Sequence, residues 1–268
     1  MVKTDIIIAG CGGAMGKAII AASAEQQVRI VGGFEQQGAS AVGEDLGQLA
    51  GIKPLSIAAQ DSWDSLLSAN RVIIDFTRPE PTIDHACAAA KAGVAMVVGA
   101  TGFSSEQDAE IRAIAREIPI VKSGNMSLGV NLLCALAEQA AASLPSRYDI
   151  EIVEAHHRRK VDAPSGTGLM LGEAAASGRK VDLKTRSVRG RDGVSEPRKE
   201  GDIGFAVIRG GGIVGDHDVK FIGDREVLTL SHQAIDRALF AEGALVAAQW
   251  VNGKPPGLYS MRDVLGLK

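Results

Sequence analysis

The chain lacks the features that mark several large classes of protein. Its 268 residues contain only three cysteines, which are far apart and form no CxxC pair, so neither a disulfide framework nor a zinc ribbon is expected. No apolar run approaches the length of a membrane span. The apolar segment near the N-terminus is too short for a signal peptide and its cleavage site. These deficits predict an unprocessed protein of the reducing cytoplasm that does not enter a membrane.

An excess of basic charge is also missing. The chain has 29 lysines and arginines against 32 aspartates and glutamates, which gives a net charge of -3. It therefore lacks the basic footprint of a nucleic-acid-binding protein. A hydrophobic content of 46% with 32 glycines is typical of a globular chain with one large domain or two modest ones. Any basic cluster must be a local feature.

Strands and helices alternate over about the first 126 residues. Five short apolar segments have the character of strands: DIIIAG, VRIVGGFE, RVIIDFT, VAMVVGATGF and PIVKSGNMS. Helical patterns follow the first, third and fourth of them. This alternation predicts a parallel, doubly wound α/β sheet.

The pattern changes after about residue 127. A helix (GVNLLCALAEQAAASL) and a strand (YDIEIVEAHH) precede a loop and a helix from about Thr167 to Ser177. Residues 204–234 are β-branched and interrupted by glycine, which favours antiparallel hairpins over crossovers. We therefore predict a second, α+β domain. The last helix, RALFAEGALVAAQWV, is amphipathic and is expected to return to the first domain.

A glycine-rich turn joins the first strand to the first helix. Gly10, Gly12 and Gly16 have the spacing G-x-G-x-x-x-G, which departs from the dinucleotide-binding pattern G-x-G-x-x-G. Glycines here allow a tight turn and let backbone N–H groups approach a pyrophosphate. Glu35 ends the second strand, 23 residues after Gly12, where a carboxylate can accept hydrogen bonds from a ribose. The alternatives are an ordinary glycine turn and a solvated acid.

Three further segments follow strands of the predicted parallel sheet. They are DFT at residues 75–77, GATGF at 99–103 and SGNMS at 123–127. Doubly wound folds bind their ligands at the carboxyl ends of the strands. Each segment alone is equally compatible with an ordinary loop. Together they indicate a nicotinamide-binding edge.

The densest cluster of chemically active side chains is VEAHHRRKVDAPSGTG, residues 153–168. A strand leads into two histidines and three basic residues, Pro164 fixes the backbone, and Ser-Gly-Thr opens a helix. Such a helix start offers free N–H groups to an anion. Cations beside it suit a small polycarboxylate. The alternative is a solvated basic loop.

The pattern E-A-H-H-x-x-K-x-D-A-P-S-G-T resembles the signature of the 4-hydroxy-tetrahydrodipicolinate reductase (dihydrodipicolinate reductase) family of bacterial and plant lysine biosynthesis. The likeness covers nearly the whole chain and includes IAGCGGAMGK, DFTRPE, GATGF, GNMSLGVN, IGFAVIRGGGIVGDH and MRDVL. It implies a Rossmann domain at 1–126, completed by 237–268. It also implies a central α+β domain at 127–236 that binds substrate and forms a homotetramer through its sheets.

The resemblance also implies a reaction and the residues that carry it. Hydride from NADH or NADPH adds to C4 of a cyclic, conjugated imine with two carboxylates, and the resulting enamine is protonated at C3. His156 is then the proton donor, and Lys160 assists as a cation. His157 and the amides of Gly166 and Thr167 would hold a carboxylate of this small dicarboxylate substrate.

The predicted cofactor contacts lie at the strand ends of the first domain. They comprise Gly10, Gly12, Gly13, Ala14, Met15, Gly16, Glu35, Phe76, Thr77, Gly99, Ala100, Thr101, Ser123, Gly124, Asn125 and Met126. Relatives that accept NADPH well place arginines in the glycine turn and after the ribose-binding acid, where this chain has Ala14 and Gln36. The nearest cations in sequence are Lys17 and Arg29. We therefore predict that NADH is preferred.

Several residues receive no role in the reaction. Arg158 and Arg159 are interpreted as solvated charges, and His85, His217 and His232 as structural histidines. A metal site at His156 and His157 is not expected, because adjacent residues of a strand point to opposite faces and no further ligand triad is evident.

Two other functions fit the sequence less well than a reductase does. An aspartate-semialdehyde-type dehydrogenase needs a nucleophilic cysteine in a loop, but Cys134 lies in an apolar helical segment. A dinucleotide-sensing regulator needs the first domain without an acid, and has no reason to assemble the residues from His156 to Thr167.

Overall fold

The computed structural model describes residues 3–63, 65–194 and 196–267 of the chain. These form two compact units, one from Met1–Ser127 with Ala238–Lys268 and one from Leu128–Arg237. Each boundary lies one residue from the position expected from the sequence. The first unit includes the last long helix of the chain.

Eleven strands are assigned among the described residues. In chain order they are β1 (Thr4–Ala9), β2 (Val28–Phe34), β3 (Arg71–Asp75), β4 (Ala95–Val98), β5 (Pro119–Lys122), β6 (Asp149–His156), β7 (Ser187–Val188), β8 (Ile203–Arg209), β9 (Gly215–Ile222), β10 (Val227–Ala234) and β11 (Gly257–Tyr259). The five strands predicted for the first domain are confirmed, and so is the strand predicted from YDIEIVEAHH. The short β7 and β11 were not predicted.

Nine α-helices are assigned in the same residues, with a 3₁₀ turn at Ser23–Glu25. They are α1 (Ala14–Ala22), α2 (Leu46–Leu49), α3 (Pro79–Ala92), α4 (Ser105–Ile114), α5 (Leu128–Ser143), α6 (Gly166–Arg179), α7 (Leu183–Arg186), α8 (Ala238–Val251) and α9 (Met261–Val264). Sequence analysis missed the one-turn helices α2, α7 and α9. Of the described helices, none is both long and apolar enough to cross a bilayer.

Local sequence explains where the longer helices begin and end. Pro79 is the first residue of α3, where its missing N–H costs nothing, and Gly93 ends that helix at φ +67°. Ser104 caps α4 by accepting from the N–H of Gln107, whose side chain accepts from the backbone N–H of Ser104. Ser165 caps α6 by accepting from the N–H of Gly168 at 3.0 Å.

The first unit contains a parallel sheet in the order β11-β5-β4-β3-β1-β2. The chain runs from β1 to β2 on one side, then returns to β3 on the other side of β1. This reversal is the switch point beside which doubly wound folds bind ligands. Every residue of β4 is buried and β3 is nearly so, as is typical of strands covered on both faces.

The second unit contains a mixed sheet in the order β10-β9-β6-β8-β7. β9 and β10 form the expected antiparallel hairpin, but the prediction of hairpins throughout residues 204–234 was wrong. β8 is parallel to β6, and β6 lies between β8 and β9. The glycine-rich segment after β8 crosses the end of β6, where the N–H of Gly210 donates to the carbonyl of His156 at 2.9 Å.

One face of this mixed sheet is covered by α5 and α6. Alternate residues of β6 and β9, including Ile152 and Phe221, pack there with Ala137 and Leu171 of the two helices. The opposite face carries exposed apolar side chains. Ile208 is 53% exposed and Val227 is 56% exposed.

Candidate functional site

The glycine turn of the first unit is built for close backbone contact. Gly10 has φ +70°, which favours glycine, and a Cβ on Gly16 would collide with the carbonyl oxygen of Gly10. α1 begins at Ala14, and its N-cap Gly13 provides no side-chain cap. Gly13 and Ala14 are exposed. N–H groups of the first helical turn are therefore open to an anion.

Glu35 lies directly after β2 and against this turn. Its Oε1 accepts a hydrogen bond from the N–H of Gly12 at 2.8 Å. A Cβ on Gly12 would stand 2.7 Å from the Cβ of Ala41 and 3.1 Å from Oε1 of Glu35. The structure thus brings the predicted ribose-binding acid to the glycine turn, and the absence of a side chain at residue 12 makes that approach possible.

The exit of β3 is fixed by a buried carboxylate at the switch point. Asp75 accepts hydrogen bonds from the N–H of Thr77 at 2.8 Å and from its hydroxyl at 2.6 Å. Thr77 packs against the glycine turn, because a Cβ on Gly10 would lie 2.9 Å from its Cγ2. His85 Nδ1 is 2.6 Å from the other oxygen of Asp75, and its ring is edge-on to Trp63, which fits the structural role expected for His85.

The exits of β4 and β5 lie beside that of β3. The N–H of Gly99 donates to the carbonyl of Asp75 at 2.8 Å, and a Cβ on Gly99 would collide with the ring of Phe76. The N–H of Ser123 donates to the carbonyl of Val98 at 3.1 Å. Met126 is only 1% exposed, so its side chain belongs to the core. The structure therefore brings the predicted strand-end residues to one edge.

In the second unit, β6 carries the predicted proton donor and a second polar residue on the same face of the sheet. Alternate residues of β6 are buried, so that Glu154 and His156 point to the side covered by α5 and α6. Glu154 is 1% exposed and His156 is 7% exposed. A hydrogen bond joins Nδ1 of His156 to Oε2 of Glu154. Sequence analysis gave Glu154 no role, although its i, i+2 spacing from His156 was visible.

Besides His156, residues from two other elements donate hydrogen bonds to the Glu154 carboxylate. Its Oε1 accepts from the N–H of Ser165 at 3.0 Å and from Nη2 of Arg209 at 2.8 Å, and its Oε2 also accepts from Nη1 of Arg209 at 2.9 Å. Burial alone would raise the pKa of Glu154, but the bonds from Arg209, His156 and Ser165 outweigh it and lower the pKa. The carboxylate is therefore ionised.

His156 is subject to opposing influences. Burial is the largest and lowers the pKa of His156, the Glu154 carboxylate raises it, and Lys160 and Arg209 lower it further. The net direction is downward. The neighbouring Gly215 leaves room beside the ring, because a Cβ there would stand 3.1 Å from Nε2 of His156. The ring is thus held at Nδ1, and the glycine at residue 215 places no side chain against Nε2.

The loop after β6 and the start of α6 carry the other predicted substrate contacts. Lys160 Nζ forms an ion pair with Oδ1 of Asp162 at 2.8 Å, and Nε2 of His157 is 3.1 Å from Nη2 of Arg237. Desolvation, followed by Arg159 and Arg237, lowers the pKa of His157. Gly166 is exposed and opens α6.

The two residues left without a role in this loop fit that interpretation. Arg158 and Arg159 are both exposed, as expected of solvated charges. The loop therefore turns Lys160 and His157 partly inward and keeps its two arginines in solvent.

His217, which was interpreted from the sequence as a structural histidine, lies beside His156. It is 4% exposed, its ring centroid lies 5.0 Å from that of His156, and its Nε2 is 3.3 Å from Oγ of Ser165. Burial first, and the neighbouring His156 second, lower the pKa of His217 to about 4. It is in register with Glu154 across β6 and β9, a pairing that only the strand order reveals.

The structure also assembles a triad that the sequence did not indicate. Ligand atoms of Glu154, His156 and His217 lie within 4.8 Å of one another. A carboxylate has about four acceptor positions, and those of Glu154 are taken by His156, Ser165 and the two Nη groups of Arg209. A cation would have to displace a guanidinium, so the geometry favours an ion-pair network over a metal site.

Comparisons with known proteins agree along the whole chain. The family model for the N-terminus of dihydrodipicolinate reductase matches residues 4–126, and the model for its C-terminus matches residues 129–265. A 4-hydroxy-tetrahydrodipicolinate reductase of Rhodopseudomonas palustris (strain TIE-1) is 52% identical over 270 residues, covering 100% of this chain and 99% of the relative. One of Caulobacter vibrioides is 54% identical over 266 residues, covering 98% and 97%.

The solved structures show the same fold. A dipicolinate-bound dihydrodipicolinate reductase from Paenisporosarcina sp. TG-14 aligns with a TM-score of 0.77 at 24% identity, covering 96% of this chain and 97% of that one. The Rossmann-like parallel sheet and the second, α+β domain expected from the sequence are thus confirmed, and the sheet of the second domain is mixed. From the two matching models and the full-length relatives, the chain belongs to the dihydrodipicolinate reductase family of lysine-biosynthetic oxidoreductases.

Proposed function

We propose that this chain reduces 4-hydroxy-tetrahydrodipicolinate to tetrahydrodipicolinate with NADH or NADPH, in the diaminopimelate route to lysine. Family membership supports the reaction. The assignment of the acid rests on the buried His156, whose Nδ1 is hydrogen-bonded to Glu154 near the end of β6. The same carboxylate accepts a hydrogen bond from the N–H of Ser165, the N-cap of α6. A proton donor and an anion-binding helix start are what a dicarboxylate reductase needs.

The residues of the first unit fit a dinucleotide. The uncapped start of α1 suits a pyrophosphate, and Glu35, fixed by the N–H of Gly12, suits a ribose hydroxyl. Thr77 and Gly99 would line the nicotinamide edge. When bound, the reduced nicotinamide would supply the hydride that C4 receives after 4-hydroxy-tetrahydrodipicolinate has lost its 4-hydroxyl group as water to give the conjugated imine.

The second unit would supply the proton and hold the substrate. In the absence of substrate, burial keeps the pKa of His156 low. A dicarboxylate beside the ring favours the imidazolium, so that substrate binding itself loads the acid. His156 then donates from Nε2 to C3, Lys160 stabilises the developing negative charge, and His157 with the amides of Gly166 and Thr167 holds a carboxylate.

A cysteine-dependent dehydrogenase has less support. Cys134 lies in α5, away from loops. Burial, followed by the nearby Glu35, raises the pKa of Cys11 to about 12, and burial also raises the pKa of Cys87. Raised pKa values leave these two thiols protonated and poorly nucleophilic at neutral pH. We place the protein in the reducing cytoplasm, where cysteines remain thiols.

We expect NADH to be preferred over NADPH by about ten- to a hundred-fold in kcat/KM, the equivalent of one missing charge-assisted pair of about 1.5–3 kcal/mol. Glu35 would repel a 2′-phosphate, and the exposed Gln36 provides no countercharge. The Gln36→Arg variant should raise NADPH efficiency selectively, whereas Gln37→Arg, one residue farther, should do so much less. Steady-state kinetics at fixed ionic strength measure both. A clear NADPH preference in the unaltered chain would refute the assignment, and so would an equal effect of Gln36→Arg on the two cofactors.

We also expect a homotetramer that covers the open face of the mixed sheet. Exposed apolar residues on a sheet face favour assembly, and Ile208 and Val227 are more than half exposed. Light scattering should give four times the mass of one chain at micromolar concentration. The Ile208→Lys/Val227→Lys variant should dissociate, because it places charge on that face. A stable monomer of the unaltered chain would rule the assembly out.

The reaction itself is tested by nicotinamide absorbance with substrate generated enzymatically in the cuvette. Oxidation of NADH or NADPH should depend on both the protein and the substrate generator. A dinucleotide-sensing regulator would bind the cofactor without oxidising it.

A further inference from the structure

We propose that Glu154 and Arg209 form a positioning pair for His156, in which Glu154 holds Nδ1–H so that the transferred proton leaves from Nε2, and Arg209 holds Glu154 in its ionised form. This rests on the proposed function, because it concerns how the assigned acid is oriented. Glu154 and Arg209 act through His156, and neither is proposed to touch substrate or cofactor.

Glu154 determines which ring nitrogen of His156 carries the proton when the ring is neutral. An ionised carboxylate only accepts hydrogen bonds, so that the nitrogen facing Oε2 of Glu154 must carry a proton. In the neutral ring Nε2 is then the bare nitrogen, and in the imidazolium Nε2–H is the proton free to leave. Because residue 215 is glycine, it places no side chain against Nε2. The pair thus directs proton transfer to Nε2.

Arg209 keeps the carboxylate of Glu154 ionised. Its side chain is 0% exposed, and a buried carboxylate without partners becomes protonated rather than remain charged. Arg209 meets it with both Nη groups, at 2.8 and 2.9 Å. Nη2 of Arg209 also donates to the carbonyl of Asp162 at 2.6 Å. The guanidinium therefore links the carboxylate to the loop that carries Lys160.

The charged groups around His156 have opposing effects on its protonation. Lys160 and Arg209, from the loop and β8, oppose its protonation, and the neutral His217 of β9 lies edge-on to it. Of the charged groups around His156 in the described part of the chain, Glu154 is the one that favours the imidazolium. Without Glu154, the positive charges of Lys160 and Arg209 would favour loss of the proton from His156.

The Glu154→Gln variant tests the orientation. One amide cannot accept on both oxygen positions, so either His156 loses its acceptor at Nδ1 or an NH₂ group faces Ser165 and Arg209. We expect kcat to fall at least about tenfold. The pKa of His156 should fall, and since the protonated acid is the active form, the alkaline loss of kcat should move to lower pH. NADH affinity should not change.

A second readout follows the ring directly. The chain has five histidines, and comparison with His156→Gln assigns the resonances of His156 in ¹⁵N-histidine spectra. At a pH where the ring is neutral, the unaltered chain should show a protonated Nδ1 and a bare Nε2. The reverse tautomer in the unaltered chain would overturn the proposal.

The matched control is Glu151→Gln, on the same strand but the opposite face. Glu151 is paired with Arg191 and Arg198, so its loss removes an ion pair of β6 without touching His156. Its kcat should stay within about twofold of the unaltered chain, with the same pH profile. An equal fall of kcat in Glu151→Gln and Glu154→Gln would show that strand integrity alone is at stake, and would overturn the proposal.

The Glu154→Gln/Arg209→Met variant separates orientation from stability. It removes both charges of the pair, of which Glu154 is buried and Arg209 is 20% exposed, and replacing such an ion pair on both sides is often tolerated. We expect the melting temperature to recover above that of Glu154→Gln while kcat stays low. Recovery of kcat together with stability would overturn the positioning role.

Failure of this proposal is distinguishable from failure of the proposed function. If His156→Gln loses activity but Glu154→Gln keeps the unaltered kcat and pH profile, the acid stands and the positioning pair is refuted. If His156→Gln retains full activity, the assignment of the acid fails, and the pair fails with it.

Discussion

Turnover of the His156→Gln variant is expected to fall by about two orders of magnitude or more, the usual effect of removing a general acid. Glutamine keeps polar atoms near the ring position but cannot titrate near neutral pH. Because His156 belongs to the second unit, NADH should bind as before. Steady-state kcat and equilibrium titration with NADH measure the two effects separately.

Arg158→Gln is the control for this variant. Arg158 is two residues away and exposed, and its change should leave kcat within about twofold. Near-unaltered turnover of a correctly folded His156→Gln protein would contradict the assignment of the acid.

The Lys160→Ala variant is expected to lose turnover on a similar scale, about two orders of magnitude or more. Lys160 is the cation assigned to the negative charge that develops on the substrate, and such groups contribute mainly in the transition state. Its Nζ is held by Asp162 at 2.8 Å, so that the ammonium is kept near the loop. Some loss of substrate affinity should accompany the loss of kcat, because the same cation attracts a dicarboxylate.

Arg159→Ala is the matched control, since it removes the adjacent positive charge from an exposed side chain. It should change KM slightly at low salt and leave kcat within about twofold. If Arg159→Ala and Lys160→Ala reduce kcat equally, the loop acts through its total charge, and the specific role of Lys160 is wrong.

The parts of the fold that the sequence predicted are those specified by neighbouring residues. The first strand, the glycine turn and α1 lie within residues 4–22, and their periodicity and glycines are local signals. The same holds for the capped start of α6. The short helices α2, α7 and α9 have four residues each, which is too few for a helical period to be recognised.

What the sequence could not provide was the partners of the strands in the second unit. β-branched segments and glycines indicate strands, but not which strand lies beside which. The expected hairpin between β8 and β9 was wrong, because β6 lies between them. That error concealed two residues of the candidate site. Arg209 is 55 residues from Glu154 in sequence, and His217 reaches it only through the β6–β9 register.

The pairing of Glu154 with His156 could have been inferred from the sequence, but no role was predicted for Glu154. Glutamate and histidine two residues apart on a strand point to the same face, and burial of that face would bring their side chains together. The roles of residues contacting substrate and cofactor remain predictions, because the comparisons establish the family without assigning positions in this chain.

Transfer of hydride from the nicotinamide to C4 of the conjugated imine is tested most directly by following that hydrogen. NADH carrying deuterium at both C4 positions of the nicotinamide would be supplied with substrate generated enzymatically, and the product analysed by mass spectrometry and NMR. We expect one deuterium per product molecule, located at C4, and no such product with His156→Gln on the same timescale. Product without deuterium at C4, or NADH left unoxidised by the unaltered chain, would contradict it.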